Sequence, residues 1–183
     1  YISNEELGPE TCQAFCSATG TGKTTLIGKV CEQYADERIL YIVPSVPLSY
    51  SVQHDMNRKH PTLEFKHYLS TNKSLHNIKQ LVSSCQSLWR GDDKQAKPYK
   101  LVILDEVESI LGAILGPTSH HHIRGLGWLE WVVTHADKVI LADACMTDNV
   151  TEWSQHFFKR DILYTINAWK PENRTCYMVP TPL

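Results

Sequence analysis

Ser17-Ala18-Thr19-Gly20-Thr21-Gly22-Lys23-Thr24-Thr25 is the stretch that decides the fold. Before it, Gln13 to Ala18 can form a short strand. After it, Gly22 to Tyr34 carries Leu26, Val30 and Tyr34 on one helical face. A strand, a glycine-rich turn and a helix in that order form a phosphate-binding loop. Gly20 and Gly22 let backbone N–H groups wrap an anion without side-chain obstruction. The start of the helix adds its partial positive charge. Thr19, Gly20, Thr21, Gly22, Lys23, Thr24 and Thr25 are therefore the expected nucleotide-binding residues. Lys23 can reach the β- and γ-phosphates of a nucleotide, and the Thr24 hydroxyl can ligate Mg²⁺. The strict pattern GxxxxGK[ST] begins with Gly, and Ser17 stands there instead.

A Gly/Thr-rich turn can precede a helix by chance, so a second motif matters. It is Leu101-Val102-Ile103-Leu104-Asp105-Glu106-Val107-Glu108. Four consecutive apolar residues mark a strand buried on both faces, and they place the acidic pair at its exit. Asp105 is the expected metal carboxylate, acting through water. Glu106 is the expected general base, orienting and deprotonating the attacking water. An acidic pair alone is more often a solvated helix start. Together with the phosphate loop, it reads as the second half of a Mg²⁺-dependent NTPase site with Lys23, Asp105 and Glu106 as catalytic residues.

Further outward, apolar runs alternate with helical stretches. Arg38 to Val43, Leu63 to Leu69, Leu101 to Leu104, Lys138 to Leu141 and Ile162 to Ile166 read as strands, and Ile78 to Ser84 as a weaker one. Helices are expected from Pro47 to about Arg58, over Ile123 to Ala136, and over Val150 to Lys159. Solid apolar strands interleaved with helices imply a three-layer α/β domain with a mostly parallel central sheet. Ligands in such sheets bind beyond the carboxyl ends of the strands, which directs attention to the loops after Ala18, Val43, Leu104 and Leu141.

Composition supports this reading. The chain has 183 residues, 42% of them hydrophobic, which is one domain's worth with a real core. A net charge of −2 excludes a strongly basic nucleic-acid-binding body, so any such contact must use a local groove. No apolar window reaches membrane-spanning length, and the N-terminus has neither the basic start nor the apolar run of a signal peptide. Six cysteines form no CxxC pair. Cys16, Cys31 and Cys145 are expected to be small buried hydrophobes in an intracellular, reducing compartment. Without an initiator Met, residues 1–183 read as an excerpt of a longer protein.

The phosphate loop and the Asp-Glu-x-Glu form resemble motifs I and II of superfamily two helicases. Further blocks resemble the viral replication origin-binding helicase family, known from herpesviruses and other large DNA elements. Ile39 to Ser51 resembles its motif Ia. Cys85-Gln86-Ser87-Leu88-Trp89-Arg90 resembles its segment between motifs Ia and II. Leu101 to Leu111 matches its motif II with the helix that follows, and Ile140 to Asn149 resembles its motif III. The resemblance covers about residues 12 to 155. It implies a RecA-like N-terminal helicase lobe that couples Mg-ATP hydrolysis to movement on single-stranded DNA during replication. It assigns Ser45, Gln86, Ser87 and Arg90 to the single-strand groove, and Glu108 and Asp143 to coupling. It also implies a second RecA-like lobe of the same polypeptide, which supplies the arginine finger. Cys145-Met146 departs from the family's motif III, and no adenine-recognition motif precedes the loop, Gln13 being the nearby Gln. A DNA-packaging motor ATPase, an RNA helicase and a degenerate nucleotide-binding module are the alternatives.

Other features carry less. Consecutive His120, His121 and His122 cannot all converge on one ion in regular structure and read as a solvated loop. Trp128 and Trp131 are three apart on a helix, a spacing that means packing. Trp89 beside Arg90 is a weaker candidate for base stacking.

Overall fold

The computed structural model describes residues 12–18, 20–70, 75–91, 97–116, 122–158 and 162–167. Each of the apolar runs supplies a strand. In chain order the elements are β1 (Cys12–Ser17), α1 (Lys23–Gln33), β2 (Ile39–Val43), α2 (Val46–Lys59), β3 (Lys66–His67), β4 (Gln80–Ser84), a 3-10 turn (Cys85–Arg90), β5 (Leu101–Asp105), α3 (Val107–Leu115), α4 (His122–His135), β6 (Lys138–Asp143), α5 (Asp148–Phe158) and β7 (Leu163–Asn167). The strands form one sheet in the order β3-β4-β2-β5-β6-β1-β7. Every pairing in it is parallel, so the expectation of a mostly parallel sheet understates it.

Strand alternation builds the three layers, because successive side chains point to opposite faces. Ile39, Tyr41 and Val43 of β2 and Leu101 and Ile103 of β5 pack with Leu26, Ile27 and Val30 of α1 and Val52 and Met56 of α2. Leu40, Ile42, Val102 and Leu104 face the other way, onto Ile110 and Ile114 of α3 and Leu129, Val132 and Val133 of α4. Residues of β2 and β5 are wholly enclosed, as the solid apolar runs require.

Three sequence expectations need correction. The run Leu63 to Leu69 pairs only at Lys66–His67. Its backbone is satisfied by a side chain instead: Asn57 accepts from the Phe65 N–H at 2.9 Å and donates to the Phe65 carbonyl at 2.9 Å. With those groups taken, the segment needs no ladder, while Leu63 and Phe65 still bury. β4, by contrast, is a fully buried strand between β2 and β3. Its pattern looked weak because Gln80, Ser83 and Ser84 are polar. Gln80 uses its amide, accepting from the Glu64 N–H at 2.6 Å and donating to the Ala35 carbonyl at 2.7 Å. Among the cysteines, Cys31 is buried as expected, but Cys16 is half-buried and Cys145 exposed. All five described cysteines are free. His120 and His121 lie outside the described residues.

Trp128 is buried and Trp131 packs beside the core, stacking on His135 with ring centroids 4.7 Å apart. Trp128 lies directly over Gly91, where an added Cβ would sit 2.2 Å from the indole ring. The ring is enclosed and cannot swing away. Gly91→Ala is expected to cost about 1–3 kcal/mol through overpacking, measured as a lower urea midpoint followed by circular dichroism.

Candidate active site

The parallel register gathers the polar strand ends at one edge. Asp105 of β5 pairs with Ala142 of β6, and Asp143 of β6 pairs with Cys16 of β1. Motif II, the end of β6 and the phosphate loop therefore emerge side by side. They line a cleft of about 540 Å³ with Gly20, Gly22, Lys23, Thr24, Thr25, Asp105, Glu106 and Asp143 on its walls. That size suits a nucleotide-scale ligand. Thr19 lies outside the described residues.

The loop is held by its own groups. Gly20 and Gly22 have φ of 81° and 91°, the left-handed region that glycine enters without penalty. At Gly22 this requirement is conformational, since an added Cβ would meet nothing within 4 Å. Gly22 is the residue from which α1 starts, and its carbonyl accepts from the Leu26 N–H. The Thr21 hydroxyl donates to the Ala18 carbonyl at 2.6 Å and meets the Ser17 hydroxyl. Ser17, which replaces the first Gly of the strict pattern, thereby acts as a brace under the turn. The Lys23 ammonium is turned into the loop, donating to the Ser17 and Ala18 carbonyls. Thr24 and Thr25 are exposed at the helix start.

Opposite lies a cluster of three carboxylates. Asp105 is buried, and its carboxylate accepts from the Tyr41 hydroxyl at 2.8 Å. Burial pushes the Asp105 carboxyl above the ordinary aspartate range, while the Tyr41 hydrogen bond and the Lys23 charge pull it down. Glu106 is exposed, and it too titrates above the ordinary glutamate range, through desolvation and then the nearby charges of Asp105 and Asp143. Its φ of 60° is the one positive value outside glycine among the described residues. A left-handed glutamate costs about 1–3 kcal/mol and persists only where its surroundings enforce it. Here it turns the chain from β5 directly into α3, so that Glu106 lines the cleft beside Asp105.

Asp143 and Glu108 tie these pieces together. The first turn of α3 has no side-chain cap of its own. Instead the Glu108 N–H donates to the Asp143 carboxylate at 3.0 Å, and Asp143 also accepts from the Ala144 and Cys145 N–H groups at 2.6 and 3.2 Å. The Glu108 carboxylate in turn accepts from the Thr147 N–H at 2.5 Å. A reciprocal pair thus joins the end of motif II to the loop after β6.

The residues expected in a single-strand groove occupy the same edge, over β2 and β4. Ser45 is exposed and caps α2, accepting from the Leu48 N–H at 3.4 Å. The Cys85 thiol donates to the Pro44 carbonyl at 3.3 Å, which brings the 3-10 turn against the loop that carries Ser45. Gln86 is exposed. Ser87 is buried, with its hydroxyl 3.2 Å from that of Ser84. Arg90 donates to the Tyr68 carbonyl at 3.2 Å and lies over the Tyr68 ring. Trp89 is half-buried.

The sequence reading missed Tyr41, and it missed Leu48, Ser51, Val52 and Asp55 of α2, which form one wall of the cleft. A signal for Tyr41 was present: it shares a strand face with Ile39 and Val43, the face on which Asp105 follows Leu101 and Ile103. The α2 wall had none, because only the crossover from β2 brings it there.

Residues 10–112 match the family described as the type III restriction enzyme, res subunit. The chain belongs to this family. The res-subunit match begins before β1 and ends within α3, spanning the phosphate loop and the Asp105-Glu106 pair but not Asp143. A putative helicase of Acanthamoeba polyphaga mimivirus is 31% identical over 180 residues, covering 88% of this chain and 16% of that protein. The chain thus spans about a sixth of that relative's length. Solved structures of other proteins share its fold. A hypothetical ATP-dependent RNA helicase from Sulfolobus tokodaii superposes with a TM-score of 0.60 at 14% identity, over 85% of this chain and 48% of that one. Mss116p bound to ssRNA and AMP-PNP superposes with a TM-score of 0.63 at 13% identity, over 90% and 38%. The res-subunit domain therefore has a RecA-like fold. No helix among the described residues is long and apolar enough to cross a membrane.

Proposed function

We propose that residues 1–183 form the ATP-binding and hydrolysing N-terminal lobe of a DNA helicase that acts in DNA replication. The carrying observation is the meeting of Lys23, Thr24, Asp105 and Glu106 in one cleft at the sheet edge. In this reading ATP binds with its phosphates in the loop from Thr19 to Thr25, and the Lys23 ammonium exchanges its carbonyl partners for phosphate oxygens. The donors suit Mg²⁺: Thr24 offers a hydroxyl and Asp105 a carboxylate, both oxygen ligands, and burial of Asp105 leaves its charge in want of a cation. When bound, Mg²⁺ neutralises charge on the β- and γ-phosphate oxygens. Glu106 takes a proton from the attacking water, and its raised affinity for protons suits a base.

Asp143 and Glu108 transmit occupancy of the cleft, because any shift of motif II moves the loop after β6 through their shared hydrogen bonds. Ser45, Gln86, Ser87 and Arg90 serve the single-stranded nucleic acid, with contacts that are mostly to phosphates. A second RecA-like lobe of the same polypeptide completes the site with an arginine finger. The protein works inside the cell. DNA and replication are favoured by the resemblance of Cys85–Arg90 and Ile140–Asn149 to the origin-binding helicases and by a viral relative. RNA is the second reading, because the Mss116p structure holds ssRNA. Phosphate release by the complete protein, measured with single-stranded DNA and RNA of equal length, separates the two. Stimulation by DNA is expected. Stimulation by RNA alone would replace the DNA reading, and no turnover with either would end the ATPase reading.

A further inference from the structure

The geometry points to Tyr41 as a positioning residue for the metal carboxylate: its buried hydroxyl fixes the orientation in which Asp105 presents its carboxylate to the Mg²⁺ site. This rests on the ATPase reading above. Tyr41 has no solvent exposure. It pairs in register with Ile103 on the neighbouring strand, so Asp105 is the next residue on the same face, diagonally across from the ring. The ring is wedged edge-on against Phe65, with centroids 6.3 Å apart at 85°. A ring held on that side by Phe65 and from above by α1 cannot move its hydroxyl away, and the hydroxyl donates to Asp105 Oδ2 at 2.8 Å.

An aspartate has two oxygens and a freely turning carboxylate plane. With Oδ2 engaged by Tyr41 and the Glu106 N–H also donating to the carboxylate, its plane is fixed where Asp105 lines the cleft. Neighbours that hydrogen-bond to a metal ligand orient it, and their loss typically weakens metal affinity about 10- to 100-fold. Packing alone does not account for the hydroxyl, since phenylalanine fills the same apolar place among Ile39, Val43 and Ile103. A hydroxyl there must find a partner, and it finds the carboxylate on which the metal depends.

Tyr41→Phe in the complete protein removes the hydrogen bond and keeps the ring. Binding of a fluorescent ATP analogue is titrated first in EDTA and then against Mg²⁺. The expected result is unchanged binding without metal and about a tenfold rise in the Mg²⁺ concentration that half-saturates the metal-dependent step. In an Asp105→Asn background the same substitution should change the Mg²⁺ titration no further, because its effect runs through that carboxylate. Thermal melting by circular dichroism confirms that folded proteins are compared. Tyr41→Leu, which also lacks the hydroxyl, repeats the comparison if the Phe variant does not fold. A Tyr41→Phe protein with the wild-type Mg²⁺ titration overturns the inference, whatever happens to its stability. An equal shift in the Asp105→Asn background overturns it too. Wild-type protein that shows no Mg²⁺-dependent nucleotide binding would instead sink the ATPase reading, and the inference with it.

Discussion

Lys23→Ala in the complete protein is expected to reduce ATP turnover by at least about 100-fold, the scale on which loss of one preorganised charge acts. Lys23 is the cation that faces the acidic side of the cleft. Its charge lowers the proton affinity of both Asp105 and Glu106. Without it, four carboxylates and a triphosphate would share the cleft with no fixed positive group among the phosphate-loop side chains. The loop itself should survive the substitution, because the Thr21 contacts to Ser17 and Ala18 and the positive φ of Gly20 and Gly22 do not depend on the lysine. Phosphate release is the measurement, with a circular dichroism melt to show that the protein is folded. Turnover at the wild-type rate would remove the phosphate-loop assignment and, with it, the reading of the cleft as an ATP site.

The position of Lys23 was legible from the sequence because it depends on neighbours along the chain. Two glycines, a lysine and a threonine at fixed offsets form the loop whatever the rest does. Asp105 was legible for a similar reason: four apolar residues in a row force a buried strand, and a buried strand must end where charge begins. What the sequence left open depends on partners far along the chain. Nothing local marks that Asn57 satisfies the backbone at Phe65, which is why Leu63 to Leu69 reads as a longer strand than it makes. β4 reads as weak for the complementary reason, since Gln80 finds its partners at Glu64 and Ala35. Tyr41 reads as one more β-favouring residue until Asp105 is set beside it. Cys145 reads as core because it follows an apolar strand, yet Asp143 has already turned the chain outward by accepting the N–H groups of Ala144 and Cys145. The layer order and parallel sheet follow from hydrophobic pattern alone. The tuning of the site follows from side-chain hydrogen bonds that pattern does not encode.

Glu106→Gln should separate binding from chemistry. Gln keeps the length and shape of the side chain and can occupy the same left-handed backbone, so the passage from β5 into α3 is preserved. It cannot accept a proton from water at neutral pH. General-base loss costs about 10²- to 10⁴-fold, so turnover should fall by that order. Nucleotide binding should persist or tighten, because neutralising Glu106 removes one of the four negative charges that line a cleft that must admit a polyanion. The same removal relieves repulsion on Asp105 and Asp143, and the melting temperature should not fall. Stability can be read with sign: Glu106 takes up protons more readily in the folded chain than an ordinary glutamate, so its ionised form opposes folding at neutral pH. That opposition fades as pH falls through its folded-state value, and the Gln variant should lack it at every pH. Binding of a fluorescent ATP analogue and phosphate release, measured on the same preparation, give the two readouts. Weak binding with normal turnover would refute Glu106 as the base. Loss of both would assign it to holding the nucleotide instead.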